Sequence, residues 1–350
     1  MIKKYWRWLL ILLPVATFLA ARFDAPLYST PVAQVTRVTA SASQTETDSN
    51  SNEDRLITQR VQARLLNGPG GTIALTNTYT ASQALDFPLR VGSQIFVTKI
   101  HGQYQLKDDK RDAILLTVAM CLIVLMILVL RRHFWVTLAS IVINTAIFLL
   151  VVHVDISNQS INAWLIFSGL AIVFTLVTAA FIVGVNRLML IISGATVAAT
   201  VLAVALGYAI LSLTGYNGVH LETVKYVTQA PQLLFYVQIV VGALGAVLDV
   251  AGDIAVSVYP QAIGRRDKFR NGMAVGRAVL GPLIGVLMMI FVAGTFAEAV
   301  LWLRNGNAVG QTIEWVMGLG LAQSLISAFG IVLAVPLTSG AMAFVKQVDA

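Results

Sequence analysis

The sequence predicts an all-α polytopic membrane bundle of about eight transmembrane helices, with a small extracytoplasmic β-rich domain near the N-terminus. Three observations lead there. Hydrophobic residues make up 57% of the chain and charged residues 12%, where an average soluble domain is about 25% charged. A water-soluble fold of 350 residues could not hide that much apolar surface. Runs long enough to cross a bilayer, roughly 20 apolar residues each, recur along the chain. Between the first two of them the hydrophobic period changes to two, which is the signature of strands.

The first span, Trp6 to Ala21, follows Lys3, Lys4 and Arg7. No convincing small-x-small cleavage site comes after it, so residues 1–22 read as an N-terminal anchor, with a cleaved signal peptide the alternative. Residues 23–55 are expected to be a flexible extracytoplasmic spacer, because TASASQTETDSNSNEDR (Thr39 to Arg55) holds little to bury. Residues 56–112 read as the β-domain. RVQARLL (Arg60 to Leu66) alternates Val61, Ala63 and Leu65, NGPGG supplies turn residues, and TIALTNTY (Thr72 to Tyr79) alternates again. QIFVTKI (Gln94 to Ile100) and GQYQLKD (Gly102 to Asp108) suggest a second strand pair, and the whole suggests a small OB-like barrel or sandwich. Its expected role is a lid, a sensor, a docking surface or a spacer over the outer mouth.

Residues 113–350 then supply seven spans, near 113–130, 134–152, 162–183, 188–213, 233–258, 274–297 and 313–341. Placing the N-terminus in the cytoplasm puts Lys3, Lys4, Arg7, Arg131, Arg132, Arg187, Arg265, Arg266, Lys268, Arg270, Arg277 and Lys346 on short inner segments. Only Lys225 and Arg304 then lie on short outer ones. That asymmetry is what the positive-inside rule requires, so both termini are expected inside and residues 23–112 outside the plasma membrane. The net charge of +7 and pI near 9.6 are thereby an orientation signal. No phosphate loop or basic aromatic strip points to nucleic acid. The single cysteine, Cys121, can form no internal disulfide.

GALGAVLDVAGDIAVS, Gly242 to Ser257, sets Asp249 and Asp253 inside the sixth span. At 100° per residue, Gly242, Gly245, Ala246, Asp249, Gly252 and Asp253 share an arc of roughly 120°. Small residues admit another helix backbone, so this stripe is expected to face the bundle interior. A mid-span Asp costs roughly 2.5 to 3.5 kcal/mol to insert, so the pair needs a proton, a cation or an answering base. Arg277, at the start of the seventh span, is the expected base, with Gly272, Gly276 and Gly281 permitting close approach and Pro282 able to free a carbonyl. The alternative is an Asp253 that snorkels at the membrane boundary beside a basic loop.

GALGAVLDVAGDIAVSVYP (Gly242 to Pro260), followed by NGMAVGRAVLG (Asn271 to Gly281), resembles the paired signature of the YibE/F-like bacterial membrane proteins. VQARLLNGPGGTIALTNTY resembles the outer domain of the YibE type, and VNRLMLIISGATVAATVLAVALGYAI (Val185 to Ile210) resembles its fifth span. The resemblance implies a multi-span protein, often encoded beside a shorter YibF-type relative, and hence a YibF-type partner or a homo-oligomer in the bilayer. It implies no substrate. The seventh span departs from the pattern, reading PLIGVLMMIF where relatives carry hydroxyl and amide side chains.

Two weaker constellations remain. His153 with Asp155, and His220 with Glu222, fall on expected outer loops and bring imidazole and carboxylate together as weak metal candidates, with ordinary solvated loop ends the alternative. Gln323, Ser324 and Ser327, with Glu314 and Glu298, offer a polar path toward Asp249 or else interhelical hydrogen bonds. No cofactor and no catalytic group is expected. GxSxG and HExxH are absent, and an aspartyl dyad needs facing helices. The leading expectation is a secondary transporter or permease coupled through Asp249, Asp253 and Arg277; the competing one is a membrane scaffold or regulatory subunit.

Overall fold

A computed structural model of the chain describes residues 2–47, 53–68, 70–83, 86–131, 134–157, 163–223 and 231–345, with side chains from residue 10 onward except that of residue 163. Arg132, Lys225 and Lys346 of the charge argument lie outside the described residues. Two compact units divide the chain, Met1–Phe134 and Trp135–Ala350.

The first unit starts with helix α1 (Ile2–Arg22) and a 3₁₀ turn (Ala25–Leu27). Five strands follow: β1 (Val32–Thr47), β2 (Glu53–Leu65), β3 (Thr72–Thr80), β4 (Gln94–Ile100) and β5 (Gln103–Asp109). Helix α2 (Asp112–Leu130) closes the unit and packs along α1. The sheet is antiparallel in the order β3-β2-β1-β4-β5, and its outer strands β3 and β5 also touch. That is the connectivity of a partly open five-stranded OB barrel. The alternation read from the sequence holds in three dimensions: Val61 pairs with Leu75 and Ala63 with Ile73, all four buried. In the connecting turn Gly68, Gly70 and Gly71 take φ of +83°, +70° and +101°, a region that residues with a Cβ avoid.

The spacer reading is corrected here. Val32–Thr47 is the central strand of the sheet, and its polar half continues in register with β2 as far as Thr47↔Glu53. Threonine, serine and glutamine on this half are exposed, so they have no core to fill. A hairpin rooted in a packed sheet extends on backbone pairing and β-branched threonines alone. Residues 48–52 lie outside the described part.

In the second unit the helices are α3 (Phe134–Ser157), α4 (Ala163–Val183), α5 (Arg187–Leu213), α6 (Pro231–Val258), α7 (Arg265–Arg304), α8 (Val309–Thr312) and α9 (Gly318–Ala343), with a π-helical turn (Ile313–Met317) between the last two. Among the described residues seven helical segments are long and apolar enough to cross a membrane, with Leu10–Arg22 a shorter apolar helix. The core is built around α9, which packs on α5, α6 and α7. Glycine makes the tightest of these contacts: a Cβ on Gly272 would lie 2.6 Å from Ser339 Oγ, and one on Gly276 would overlap Val335. Near this crossing Lys268 is buried and donates to the Val345 carbonyl at 3.1 Å.

Candidate functional site

Helix α6 has two chemically distinct faces. Tyr236, Ile239, Ala243, Val247, Val250, Ile254 and Val258 are buried to 2% exposure or less and form the packed side. The opposite arc holds Gly242, Gly245, Asp249 and Asp253, and all four are exposed. The small, acidic stripe thus exists as read, but it points away from the chain's own core. The packed face wins the interior because its branched and aromatic side chains remove far more apolar area from water or lipid than glycine can.

The six positions read as packing residues separate accordingly. Gly276 packs tightly against Val335, and Ala246 is half-buried beside the core. Gly252 is buried with nothing within 4 Å of a Cβ, and Gly245 and Gly281 face open space. At the far end of the stripe, Gln323 of α9 brings its side-chain nitrogen to 3.6 Å from where a Gly242 Cβ would stand. One amide of the expected polar path therefore reaches the acidic face.

Arg277 lies at the level of Asp253 but does not pair with it. A Cβ on Gly276 would be 3.1 Å from Ile254, so the neighbours of the two charged residues meet across the α6–α7 crossing. Arg277 is itself exposed, and no ion pair joins it to Asp249 or Asp253. The expected salt bridge is absent because the two side chains leave their helices on the outer side of a contact filled by Ile254 and Val335.

Neither metal candidate survives as a ligand set, and no cluster of three or more metal-binding side chains occurs among the described residues. His153 and Asp155 sit two residues apart within α3 and not on a loop, so they do not share a face. His220 is held differently from the expectation. Its Nδ1 meets Glu222 at 3.0 Å, its Nε2 meets Glu314 at 3.2 Å, and its ring stacks on Trp315 at 3.7 Å. With a carboxylate on each ring nitrogen, the three groups cannot converge on one ion. Hydrogen bonding to Glu222 chiefly, opposed by desolvation and helped by Glu314, raises the imidazole above its ordinary pKa.

The sequence reading missed two further polar features. Ser193, Thr196 and Thr200 recur on one face of α5, and Thr338 and Ser339 lie on the neighbouring α9; all five are buried and their hydroxyls have no hydrogen-bond partner among the described residues. Their i, i+3, i+7 spacing was the available signal. In the first unit, the Lys110 side chain is fully buried and donates to the Ala21 carbonyl at 2.6 Å and to Asp112 at 2.8 Å, with Asp24 paired at 2.7 Å. Tyr28 donates to the same Asp112 at 2.7 Å, and that bond is the main reason its hydroxyl is pushed up to about 12.

A multi-pass membrane protein with an OB-like N-terminal domain is the class that these units define. The family signature described as YibE/F-like protein matches residues 118–347, and that of the YibE/F family N-terminal domain matches residues 26–109. The chain belongs to the YibE/F-like family. No curated protein and no solved structure matches it.

Proposed function

We propose that the protein is a secondary transporter or permease of the bacterial plasma membrane, not an enzyme, with Asp249 as its proton- or cation-coupling group. The observation that supports this reading is the state of the acids. Asp249 lies 18 residues into α6, or about 27 Å along it, on a face that is small, exposed and without an ion pair among the described residues. An ionisable group at membrane depth that no structural partner satisfies is kept for what it binds and releases. In this reading Asp249 takes up the proton or cation, the neighbouring Asp253 raises the local negative potential, and Arg277 attracts one acid when the other is loaded. Gln323 supplies a neutral hydrogen-bonding group where the face opens. Both termini are cytoplasmic and the β-domain is extracytoplasmic, following the distribution of bases.

The test is flux in proteoliposomes under an imposed pH or sodium gradient. Asp249→Asn is expected to abolish gradient-driven movement, and Asp253→Asn to slow it. Undiminished flux in Asp249→Asn removes the coupling role.

A second reading has its own observation. Asp249, Asp253 and Arg277 are exposed to whatever surrounds this single chain. A regulatory subunit or scaffold would cover such a face with a YibF-type partner or a second copy. Stable co-purification of that partner through α6, with activity retained in Asp249→Asn, favours this reading over transport.

A further inference from the structure

The sheet of the first unit carries a groove of about 1020 Å³ that crosses β1, β2 and β3 and is walled on one side by β5. Strand register explains its lining. Arg37 of β1 stands opposite Gln62 of β2, and Thr39 opposite Arg60, which in turn faces Thr76 of β3. Alternate residues of a strand share a face, so these five are exposed in the groove while Val61 and Leu75 between them are buried in the core. The two arginines lie on a diagonal of the β1–β2 pair, where Cβ atoms are about 7 to 8 Å apart. Long side chains rooted at that spacing take one anion together or two in a row.

The charge of the groove selects its occupant. Among the described residues no carboxylate lines it, and neither arginine has an ion pair. Beside the β5 wall the Lys99 ammonium lies 5.7 Å from the centre of the Tyr104 ring and adds a third positive charge. Like charges on neighbouring positions repel, so a groove that gathers them without an acid is complementary to an anion from outside. A guanidinium matches a carboxylate in a two-pronged, planar fit. The remaining polar lining is neutral: Gln62, Gln103 and Gln105 each offer a donor and an acceptor, and Thr39 and Thr76 add hydroxyls. Such a surface fits a chain whose charges are separated by many hydroxyl groups.

Other anionic partners fit less well. A nucleic-acid strand needs aromatic platforms for its bases, and Tyr104, the one ring among the described lining residues, is half-buried against the core. A peptide added as a strand needs a free edge, and β2 is paired on both sides at Arg60 and Gln62. Arg37 is five residues from the start of β1 and Gln103 six from the end of β5, about 17 and 20 Å from the strand ends that lead to α1 and α2. A head-group layer is roughly 5 to 8 Å deep, so the bilayer's own lipids do not reach the groove.

We infer that this groove binds an acidic glycan strand, with carboxylates of its uronic sugars on Arg37 and Arg60 and its hydroxyls on the surrounding glutamines and threonines. The outer face of β2 and β3 is also where barrels of this connectivity take oligosaccharides. The groove lies wholly within the first unit, so the inference does not depend on the transport reading.

The experiment is titration of fluorescently labelled hexagalacturonate into the full chain in phosphatidylcholine nanodiscs at 0.15 M salt, where attraction beyond about 8 Å is screened. Both faces of a nanodisc are open, so the result is independent of which side of the membrane the domain occupies. Binding is expected to saturate near one strand per chain, with neutral maltohexaose at least tenfold weaker. Arg37→Gln and Arg60→Gln should each weaken hexagalacturonate about tenfold, the worth of one charged hydrogen bond. Arg90→Gln, which removes the same charge from an exposed position outside the groove, should leave binding unchanged. Equal losses in all three variants mean general charge attraction and overturn the site. Maltohexaose that binds as tightly as hexagalacturonate overturns the role of the arginines, and hexathymidylate that binds more tightly through Arg37 and Arg60 overturns the glycan in favour of nucleic acid.

Discussion

Lys110 and Asp249 are both ionisable groups in largely apolar surroundings, and the two units of the chain treat them in opposite ways. Lys110 is sealed: its ammonium donates to the Ala21 carbonyl and to Asp112, pairs with Asp24 at 2.7 Å, and lies 5.3 Å from the centre of the Tyr28 ring. Asp249 sits on an open, glycine-rich face with a second acid one turn on and no ion pair among the described residues. A charge whose partners are complete holds structure together, because removing it strands the partners. A charge whose partners are missing adds cost to the fold and waits for something to bind. The contrast separates a structural clamp from a candidate working site without reference to the rest of the family.

The contrast can be broken most severely at the clamp. Lys110→Met leaves Asp24 and Asp112 facing each other without their cation, and should lower stability by about 3 to 5 kcal/mol. Chemical denaturation in bicelles would measure it, and a loss below about 1 kcal/mol would show that the clamp is not structural. Asp249→Asn should shift stability the other way, by up to about 2 to 3 kcal/mol, because it removes an unpaired charge from membrane depth. Destabilisation by Asp249→Asn would instead reveal a hidden structural partner.

The packing of α6 and α7 gives a finer test. Gly276→Val forces Val335 and Ile254 to move and should cost about 1 to 3 kcal/mol. Gly245→Ala meets nothing within 4 Å and should stay within about 0.5 kcal/mol. Equal costs at the two sites would mean that the stripe packs against something after all.

The smallest effect expected is at His220. Its imidazole is raised in the folded state, so the pairing with Glu222 and Glu314 is fully present below the unfolded value of about 6.5 and fades as pH climbs through the higher folded value. Protection of residues 214–223 in hydrogen exchange, corrected for the intrinsic rate at each pH, should therefore fall as pH climbs above about 6.5. His220→Ala should make exchange fast throughout and nearly independent of this switch.

Some of this was legible in the sequence and some was not, for physical reasons. The spans and the β2–β3 hairpin are local patterns, so Val61, Ala63, Ile73 and Leu75 declared their face directly. The acids of α6 declared that they share a stripe, but periodicity shows which residues lie together and not which neighbour covers them. The direction was set by the other arc, where Val247, Val250 and Ile254 outweigh glycine in buried area. No local pattern sets Lys110 apart from the other bases of its region, because its partners Ala21 and Asp24 are more than 80 residues away. His220 and Glu314 are 94 residues apart, and no spacing rule joins them. The polar half of β1 was misread because low hydrophobicity was taken for lack of structure, whereas strand pairing needs no core once it has a rooted start.

Helix α7 runs unbroken for 40 residues, about 60 Å, whereas the oily layer it crosses is about 30 Å thick. A rod of that length cannot fit upright inside its membrane. It must lean or protrude, and its first turns, carrying Arg265, Arg266 and Arg270, are the part bearing charge that anionic head groups attract. Pinned to α9 at Gly272 and Gly276, the rod turns bilayer thickness into leverage, so that a thinner or thicker membrane alters the angle at which α7 leaves the crossing beside Asp253.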